Sequence, residues 1–413
     1  MRLLHTSDWH LGKNLEGQSR LAEQEQFLND FVDMVEEKKI DMVIIAGDIY
    51  DTPNPSAKAE QLFYETLEKI SKNGERITLV VSGNHDSPDR LVAAEPLARL
   101  HGIIIAGTPK TIVPTGRYGK QEVIESGEGY LKIQINGETA TVLTVPYPSE
   151  KRLNEVLYEE FSEEEERQKT YSERVKLLFS RLEQQFQDDT VNLVVSHLFV
   201  NGSKEAGSER SISLGGSYLV DSSCFPEKAQ YIALGHVHRP QTIPGTKKRA
   251  RYSGSPLHFN KREAGFQKKV FVIDVKAGEP AEISEIDLKT YKPIEIWRCN
   301  NYAEALEKCK ENSERECFVY LEIKTDSFIM EDQIKELREW KKDILEILPV
   351  TESDEADVSL EMDRKEQSFE ELFTEFYKKE RGVEPEEELV SLLLSIVSED
   401  EVEEKDAADT VRD

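Results

Sequence analysis

The stretch DMVIIAGD, residues Asp41–Asp48, is an almost continuous apolar run that ends in an acidic residue. Such a run is typical of a strand that is buried on both faces of a sheet. RLLHTSD (Arg2–Asp8) before it and ITLVVSGN (Ile77–Asn84) after it predict two more strands. Apolar residues at helical spacing occupy both intervals. The alternation therefore predicts an α/β fold, with a partly parallel sheet and helices packed against it.

The rest of the chain predicts further strands, a charged helix and two smaller units. Asn136-Gly137 between alternating segments is typical of a hairpin turn, and the highly charged segment Ser149–Asp189 predicts helix. Three apolar segments predict strands, namely Val191–His197, Tyr231–His238 and Lys269–Val275. We divide the chain into a first domain (residues 1–280), a small α/β unit (281–350), an acidic linker (351–367) and a helical segment with an acidic tail (368–413).

Composition excludes several classes of protein. The 413 residues are 38% hydrophobic and 32% charged, which permits a sizeable core beneath a charged surface. No apolar run approaches the roughly 18 residues of a membrane span, and the N-terminus has no apolar signal-peptide region. The four cysteines form no C-x-x-C pair. We therefore expect reduced thiols in a cytoplasmic protein, rather than a zinc ribbon or a disulfide framework.

The net charge of −28 is unevenly distributed, so by itself it does not exclude a nucleic-acid substrate. Residues 350–413 hold 23 acidic and seven basic residues, whereas Arg239–Lys269 holds nine basic residues and one acid. A locally basic stretch on an otherwise acidic chain is compatible with a polyanionic substrate. The predicted DNA-binding residues within it are Lys247, Lys248, Arg249 and Arg251, and the alternative is a plain solvated surface.

Five short polar motifs end apolar strands. They are Asp8-Trp9-His10, Gly47-Asp48, Gly83-Asn84-His85-Asp86, Ser196-His197 and Gly235-His236-Val237-His238. Carboxylate, imidazole and amide oxygen together suit Mn²⁺, Fe²⁺ or Zn²⁺, and strand ends are where α/β sheets place ligands. Each motif alone is compatible with turn chemistry. Five of the eight histidines lie in these motifs, however, which predicts a metal site. The remaining three, His5, His101 and His258, we interpret as structural.

The order D-x-H, G-D, G-N-H-D, a lone histidine and G-H-x-H resembles that of the calcineurin-like metallophosphoesterases. The segments LLHTSDWHLGKNLEG, VIIAGDIYDTPNPS and VVSGNHDSPDRL are similar to one branch of this family, the SbcD nuclease subunits of bacterial double-strand-break repair. The superfamily motifs span about Arg2–His238, and the branch resemblance extends over the whole chain. It implies a sandwich of two mixed sheets flanked by helices, a small α/β capping domain that binds DNA, and a C-terminal helical segment that docks on a partner.

The resemblance also implies two divalent cations, Mn²⁺ above all, about 3.5–4 Å apart. The first cation would be held by Asp8, His10, Asp48 and His238, and the second by Asp48, Asn84, His197 and His236. Asp48 would bridge the two, because a bridging ligand needs two oxygens and a negative charge.

The catalytic residues that the resemblance implies are His85 and Asp86. His85 would not ligate a cation but would stabilise the transition state or protonate the leaving oxygen, which suits an imidazole. Asp86 would orient it. Some relatives carry a histidine where this chain has Asp51. The role of that histidine is therefore not transferred.

The function that the resemblance implies is that of a metal-dependent DNA nuclease. It would act as an exonuclease on double-stranded ends and an endonuclease on single-stranded or hairpin DNA, in DNA repair, recombination and replication. The chain has no G-x-x-x-x-G-K-[ST] motif, so we expect ATP to be bound by a partner rather than by this chain. The resemblance implies that this partner is an SbcC-type ATPase. It also implies a heterotetramer that contains a homodimer of this chain. The alternatives are a phosphomonoesterase or cyclic-nucleotide phosphodiesterase on the same fold and, from another class, a non-catalytic scaffold.

The C-terminal segment predicts two short amphipathic helices. Ser368 and Glu371 match a capping box, and Gly382 and Pro385 separate the two helices. Helices of about three turns are unstable alone in water, so their apolar stripes must bury against something. We expect that surface to belong to the ATPase partner, with this protein's own body as the alternative. The predicted partner-binding residues are Phe369, Leu372, Phe373, Phe376, Leu389, Leu393 and Ile396.

Overall fold

The computed structural model describes residues 1–157, 170–209, 218–325 and 328–350, together with Tyr377, Pro385 and Leu389. Its main body consists of two stacked β-sheets with helices against their outer faces. Apolar side chains fill the space between the sheets, among them Ile44 and Leu193 from opposite sides. This is the predicted α/β sandwich. The described residues contain no helix long and apolar enough to cross a membrane.

The described strands, in chain order, are β1 (Arg2–Thr6), β2 (Asn14–Leu15), β3 (Gln18–Ser19), β4 (Met42–Ala46), β5 (Ile77–Val81), β6 (Ile103–Ala106), β7 (Gly116–Tyr118), β8 (Gln121–Gly127), β9 (Tyr130–Ile135), β10 (Glu138–Val145), β11 (Val191–His197), β12 (Phe199–Val200), β13 (Leu219–Val220), β14 (Tyr231–Gly235), β15 (Gln241–Thr242), β16 (Ala250–Tyr252), β17 (Lys269–Asp274), β18 (Glu282–Asp287), β19 (Ile294–Cys299), β20 (Phe318–Lys324) and β21 (Ile344–Val350). The described α-helices are α1 (Leu21–Glu37), α2 (Ala57–Ser71), α3 (Pro88–Val92), α4 (Glu95–Ala98), α5 (Glu150–Leu157), α6 (Tyr171–Leu182), α7 (Tyr302–Glu311) and α8 (Glu331–Trp340).

The first sheet has the order β18–β17–β1–β4–β5–β6, and β1, β4, β5 and β6 run parallel. Helices α1 and α2 cover its outer face, as the alternation predicts. The indole of Trp9 is fully buried beneath them, with its ring edge-on to Phe27, Phe31 and Phe63 at 5.7–6.3 Å. Trp9 Nε1 also donates to Thr6 Oγ1 at 3.0 Å. The segment that carries Asp8 and His10 is therefore anchored in the core by the packing of the Trp9 ring and by its hydrogen bond to Thr6.

The second sheet has the order β15–β16–β14–β11–β10–β9–β8–β7. Strands β10, β11, β14 and β16 are parallel, and β9 pairs antiparallel with β10. The turn between β9 and β10 is formed by Asn136 and Gly137, both at positive φ, which confirms the predicted hairpin. Helices α5 and α6 pack on the outer face of this sheet. They lie within the predicted charged helix, of which residues 158–169 lie outside the described part.

A small parallel sheet, β19–β20–β21, and helices α7 and α8 form a separate unit with its own apolar core. The unit packs on the main body where Leu15 meets Phe318 and Tyr320. The Arg20 guanidinium lies 5.0 Å from the Phe318 ring across the same contact.

The boundary between the first domain and the small unit differs from the predicted one at residue 281. Strand β18 pairs with β17 along its whole length and so belongs to the first sheet. The boundary therefore falls after Asp287. The reason is that β18 is an edge strand with no fully buried side chain, so it shows no apolar run.

The described residues include little of the C-terminal segment. The acidic linker and the predicted partner-binding residues Phe369, Leu372, Phe373, Phe376, Leu393 and Ile396 lie outside them. Leu389 is described as helical and is 36% exposed.

Candidate metal centre

The carboxyl ends of five strands from both sheets meet at one place. Backbone hydrogen bonds extend the pairing of β1 and β4 past their ends, from Asp8 N to Gly47 O (2.9 Å) and from His10 N to Asp48 O (3.0 Å). Parallel strands deliver their carboxyl ends to the same edge, and ligands bind there in α/β sheets. The side chains brought together are those of Asp8, His10, Asp48, Asn84, His197, His236 and His238.

A first cluster is formed by Asp8, His10 and His238, whose ligand atoms all lie within 4.8 Å of one another. The Nε2 atoms of His10 and His238 face each other at 3.0 Å. His10 Nε2 also lies 3.6 Å from Asp48 Oδ2. All four side chains are fully buried or nearly so. These are the four side chains that the resemblance assigns to the first cation.

A second cluster is formed by Asp48, His197 and His236, again with ligand atoms within 4.8 Å. His197 Nε2 lies 3.4 Å from Asp48 Oδ2, the same oxygen that approaches His10. The amide oxygen Oδ1 of Asn84 lies 3.0 Å from His197 Nε2 and 3.2 Å from His236 Nδ1. Asp48 thus stands between the clusters, where a bridging carboxylate would be required.

The chemistry of this donor set fits divalent cations. Burial lowers the pKa of His10 to about 3 and that of His236 well below its usual value, so both imidazoles are neutral, the form that binds metals. Burial also opposes a charge on His197, but attraction to Asp48 outweighs it and raises the pKa of His197 to about 9. A cation next to Asp48 would take the place of that proton.

The backbone at four of these residues is held in an unusual conformation. Asp8, His10, Asp48 and His236 have φ values of +53°, +44°, +50° and +106°, which side-chain-bearing residues seldom adopt. Such strain persists only where the surrounding structure enforces it, and it collects at functional sites. Here it occurs at four residues of the two clusters.

Two glycines allow the loops to approach closely, a role that the motif analysis missed. A Cβ atom on Gly83 would lie 2.0 Å from Asp48 Oδ1, and one on Gly235 would lie 1.8 Å from the carbonyl oxygen of Ala46. Both distances are well below van der Waals contact. The available signal was the glycine that opens the G-N-H-D and G-H-x-H motifs.

Comparison with known proteins agrees with this geometry. The calcineurin-like phosphoesterase family profile matches residues 1–240, and the profile called type 5 capsule protein repressor C-terminal domain matches residues 290–381.

The chain belongs to the calcineurin-like phosphoesterase family.

Its similarity to the SbcD branch of that family covers nearly the whole chain. It is 40% identical over 409 residues to the SbcD subunit of the SbcCD nuclease of Bacillus subtilis (strain 168), with 98% of this chain and 100% of the relative covered. It is 33% identical over 283 residues to the corresponding SbcD subunit of Rhodobacter capsulatus, with 67% of each chain covered. The predicted resemblance and the predicted enzyme class, a phosphodiesterase among the hydrolases, are confirmed.

His85 lies beside this calcineurin-like centre and, like Asn84, is partly exposed, whereas the carboxylates and imidazoles of the two clusters are buried. Its backbone N–H donates to Asp48 Oδ1 at 2.9 Å. Its Nδ1 lies 2.7 Å from the carbonyl oxygen of Asp51, which can only accept, so Nδ1 carries the hydrogen. The ring stands edge-on to that of His10, with 4.7 Å between centroids. Nε2 is therefore the ring nitrogen that the Asp51 carbonyl does not engage.

Asp86 does not play the part predicted for it. Its carboxylate accepts hydrogen bonds from the backbone N–H groups of Gly83 (2.8 Å), Ile49 (3.2 Å) and Tyr50 (3.0 Å). It thereby ties the loop after β4 to the loop after β5. Burial and the nearby Asp48 raise the pKa of this carboxyl to about 7. The prediction that Asp86 orients His85 is wrong, because the group bonded to the His85 ring is the carbonyl of Asp51.

Asp51 lies between Lys13 and His10. Its Oδ1 lies 2.7 Å from Lys13 Nζ and 3.5 Å from His10 Nδ1. Burial opposes the charge on Asp51, but hydrogen bonding to His10 and Lys13 holds the pKa of the carboxyl below its usual value. Asp51 therefore neighbours two imidazoles of the centre, His10 through its carboxylate and His85 through its carbonyl.

The predicted DNA-binding residues do not converge on the metal centre. Ala250, in β16, pairs with Ile232 near the start of β14, whereas His236 follows the end of β14. Arg249 donates to the carbonyls of Pro226 (3.0 Å), Glu227 (2.8 Å) and Ala229 (2.5 Å). Lys247 and Lys248 form the turn before β16. Lys247, Lys248 and Arg249 therefore lie at the end of these strands opposite the metal centre.

Arg251 is also engaged within the chain, through Glu285 Oε1 at 3.0 Å. Of the four residues, only Lys247 and Lys248 are exposed side chains. DNA binding by this group stays a prediction.

The three histidines outside the motifs, which we interpret as structural, lie outside the two clusters. His5 is fully buried between the sheets, with Nδ1 2.8 Å from the hydroxyl of Tyr231. His258 Nε2 lies 3.0 Å from the carbonyl oxygen of Phe266. His101 is exposed at the end of a short helical turn.

Proposed function

We propose that this chain is the metal-dependent DNA nuclease subunit of an SbcCD-type complex. The observation that carries the proposal is the pair of clusters that share Asp48 Oδ2, with His85 beside them. The similarity to the SbcD subunit of Bacillus subtilis over 98% of the chain supports a nuclease rather than another phosphoesterase. Among the proposed ligands none has been lost, which argues against a non-catalytic scaffold.

We assign two divalent cations, Mn²⁺ in the first place, to this centre. Asp8, His10 and His238 hold one, His197, His236 and Asn84 hold the other, and Asp48 joins them. When bound, the pair would supply a nucleophile at neutral pH and would stabilise the attacking and leaving oxygens of a phosphodiester.

His85 acts on the departing group in this proposal. The Asp51 carbonyl keeps the hydrogen on Nδ1 and fixes the ring, so that in its protonated form Nε2 can donate to the leaving oxygen. The exposure of His85 supports this role, since a substrate must reach it from solvent. Asp86 contributes only indirectly, by keeping the loops of Asp48 and His85 together.

The partners belong to the same proposal. An SbcC-type ATPase binds the C-terminal helical segment, DNA contacts the centre and the small α/β unit, and two copies of this chain pair within a heterotetramer in the cytoplasm. Leu97 and Leu100, 73% and 70% exposed, offer apolar surface for that pairing. The exonuclease, single-strand and hairpin activities, and the roles in repair, recombination and replication, follow from this assignment.

One assay tests the proposal against its closest alternative. End-labelled duplex, single-stranded and hairpin DNA is incubated with Mn²⁺ or Mg²⁺, with and without an SbcC-type ATPase and ATP. Phosphate release from p-nitrophenyl phosphate is measured in parallel. We expect Mn²⁺-dependent cleavage of DNA that the ATPase and ATP extend to duplex ends. Efficient monoester hydrolysis without DNA cleavage would instead favour the phosphomonoesterase.

A further inference from the structure

A buried ion pair lies directly behind His238. Lys268 and Glu263 are 1% and 0% exposed, and Lys268 Nζ contacts Glu263 Oε2. Removing two charges from water is costly, and a buried pair often contributes less to stability than apolar residues of the same size would. Its presence here calls for a reason other than stability.

The second carboxylate oxygen of Glu263 leads to His238 through one hydroxyl. Glu263 Oε1 is hydrogen-bonded to Ser208 Oγ, which in turn lies 2.5 Å from His238 Nδ1. An ionised carboxylate only accepts, so the Ser208 hydroxyl donates its hydrogen to Glu263. Ser208 Oγ must then accept from His238, which places the hydrogen of that ring on Nδ1. Nε2 keeps its lone pair, and it points towards His10 Nε2 at 3.0 Å.

The backbone of His238 is held by the same group of residues. Lys268 Nζ donates to the His238 carbonyl (3.0 Å) and to Ser255 Oγ (2.7 Å). Glu209 Oε1 accepts from His238 N at 2.9 Å. The ring and both backbone polar groups of His238 are therefore fixed by residues from separate segments of the chain.

Glu209 also shapes the loop that carries Ser208. Its carboxylate accepts the consecutive backbone N–H groups of Ala206 (2.7 Å), Gly207 (2.6 Å) and Ser208 (3.1 Å). The loop is thus folded around one carboxylate, with the Ser208 hydroxyl between His238 and Glu263. No comparable side chain is needed at His197, whose Nδ1 lies 2.9 Å from the backbone carbonyl of Ala46.

We propose that Ser208 and Glu263, with Lys268 keeping Glu263 ionised, are positioning residues that hold His238 in the tautomer and orientation that bind the first cation. A carboxylate behind a ligating imidazole fixes its ring and makes it a stronger ligand, and its loss typically costs 10–100-fold in metal affinity. The proposal rests on the metal-binding role proposed above for His238.

The test compares Ser208→Thr with Ser208→Val in the full-length protein. The two side chains have almost the same shape and differ in the hydroxyl, so any steric effect of the added methyl group is common to both. Mn²⁺ binding to the metal-free proteins is measured by titration calorimetry, and their melting temperatures are recorded without metal. Ser203→Val is the loop control, because Ser203 Oγ donates to the carbonyl of Val200 and not towards His238.

We expect Ser208→Val to bind one Mn²⁺ about 10–100-fold more weakly than Ser208→Thr, with the affinity for the other Mn²⁺ unchanged. Its melting temperature should also be lower, because the buried Glu263 and His238 lose their hydrogen-bond partner. Equal Mn²⁺ affinities for the two variants would overturn the inference, as would a difference that appears only in the melting temperature.

His238→Ala distinguishes that failure from failure of the proposed function. If it loses one Mn²⁺ while the two Ser208 variants bind alike, only the positioning role is refuted. If His238→Ala keeps both cations at full affinity, the ligand assignment itself is wrong.

Discussion

His85 Nδ1 lies 2.7 Å from the carbonyl oxygen of Asp51, and the backbone N–H of His85 donates to Asp48. The residue is thus attached to the centre through its backbone N–H, and its Nδ1 is held by a backbone carbonyl. This relationship supports the proposal that His85 acts in catalysis rather than as a metal ligand.

His85→Leu should lower DNA cleavage by roughly 100-fold or more, the usual loss when a general acid is removed, while two metal ions remain bound. Asp48→Ala should instead lose metal, because no carboxylate then separates the two cations. Elemental analysis and cleavage rates on the same preparations distinguish loss of catalysis from loss of metal. His101→Leu, at an exposed position, is the control. A metal-free His85→Leu protein would show that His85 is a ligand.

Gly83→Ala should disrupt the centre although it adds only a methyl group. The new Cβ would lie 2.0 Å from Asp48 Oδ1, so the bridging carboxylate must move and metal content should fall. Gly265→Ala is the matched control, since a Cβ there meets nothing within 4 Å. Full metal content and activity in Gly83→Ala would contradict the bridging geometry.

Among the predicted DNA-binding residues, Arg249 should be needed for stability, whereas Lys247 and Lys248 should not. Arg249→Ala should destabilise the protein by about 1–3 kcal/mol, because three carbonyls lose their donor. Lys247→Ala with Lys248→Ala should leave stability unchanged. If these lysines bind duplex DNA, the double variant should reduce the salt dependence of binding by about 0.9 per lost phosphate contact. Urea unfolding and DNA binding at several salt concentrations measure both effects, and an unchanged salt slope would mean a merely solvated surface.

Asp343 gives the small α/β unit a pH-dependent contribution to stability. Its carboxylate lies 2.7 Å from Lys292 Nζ and 3.1 Å from the buried Lys341 Nζ. Burial opposes its charge, but the two lysines lower its pKa. A lowered pKa means that the stabilisation is present above the unfolded-state pKa of about 3.9 and is lost as the pH falls through the folded-state value.

Asp343→Asn should therefore destabilise the protein at pH 7 by about 1 kcal/mol, and the difference from the parent should shrink below about pH 4. Urea unfolding at pH 7, 5 and 3.5 measures the difference in the free energy of unfolding between the variant and the parent. Asp188→Asn, at a 98% exposed side chain, should show no difference at any of the three. A destabilisation by Asp343→Asn that is independent of pH would rule out the ionic origin.

The C-terminal segment should be needed for the partner and not for the chemistry. Phe373→Glu with Leu393→Glu places a charge in each predicted apolar stripe, so co-purification with an SbcC-type ATPase should be lost. Mn²⁺-dependent cleavage of short single-stranded DNA should remain. Loss of folding or of that cleavage in the double variant would show that the stripes pack on this protein's own body.

The sequence alone determined which side chains form the centre and on which kind of fold they lie. Apolar runs of strand length, separated by helical spacing, allow little besides an α/β arrangement, and each polar motif sits at a strand end such as that of Asp48. Parallel strands of one sheet deliver those ends to one edge, so the order of strands and motifs already predicts that Asp8 and Asp48 lie together. The approach of His236 to Asp8 depends on how the two sheets stack. The ligand assignment that we propose rests on coordination chemistry, which depends on residue type.

Only the tertiary structure decided which groups support those ligands. Asp86 adjoins His85 in the chain, yet its carboxylate is occupied by three backbone N–H groups, and the group that orients His85 is a carbonyl 34 residues away. The path from Lys268 through Glu263 and Ser208 to His238 joins segments that no spacing rule connects. Hydrogen bonds depend on distance and direction in space. Residues that support a ligand can come from anywhere in the chain, and they leave no periodic pattern in the sequence.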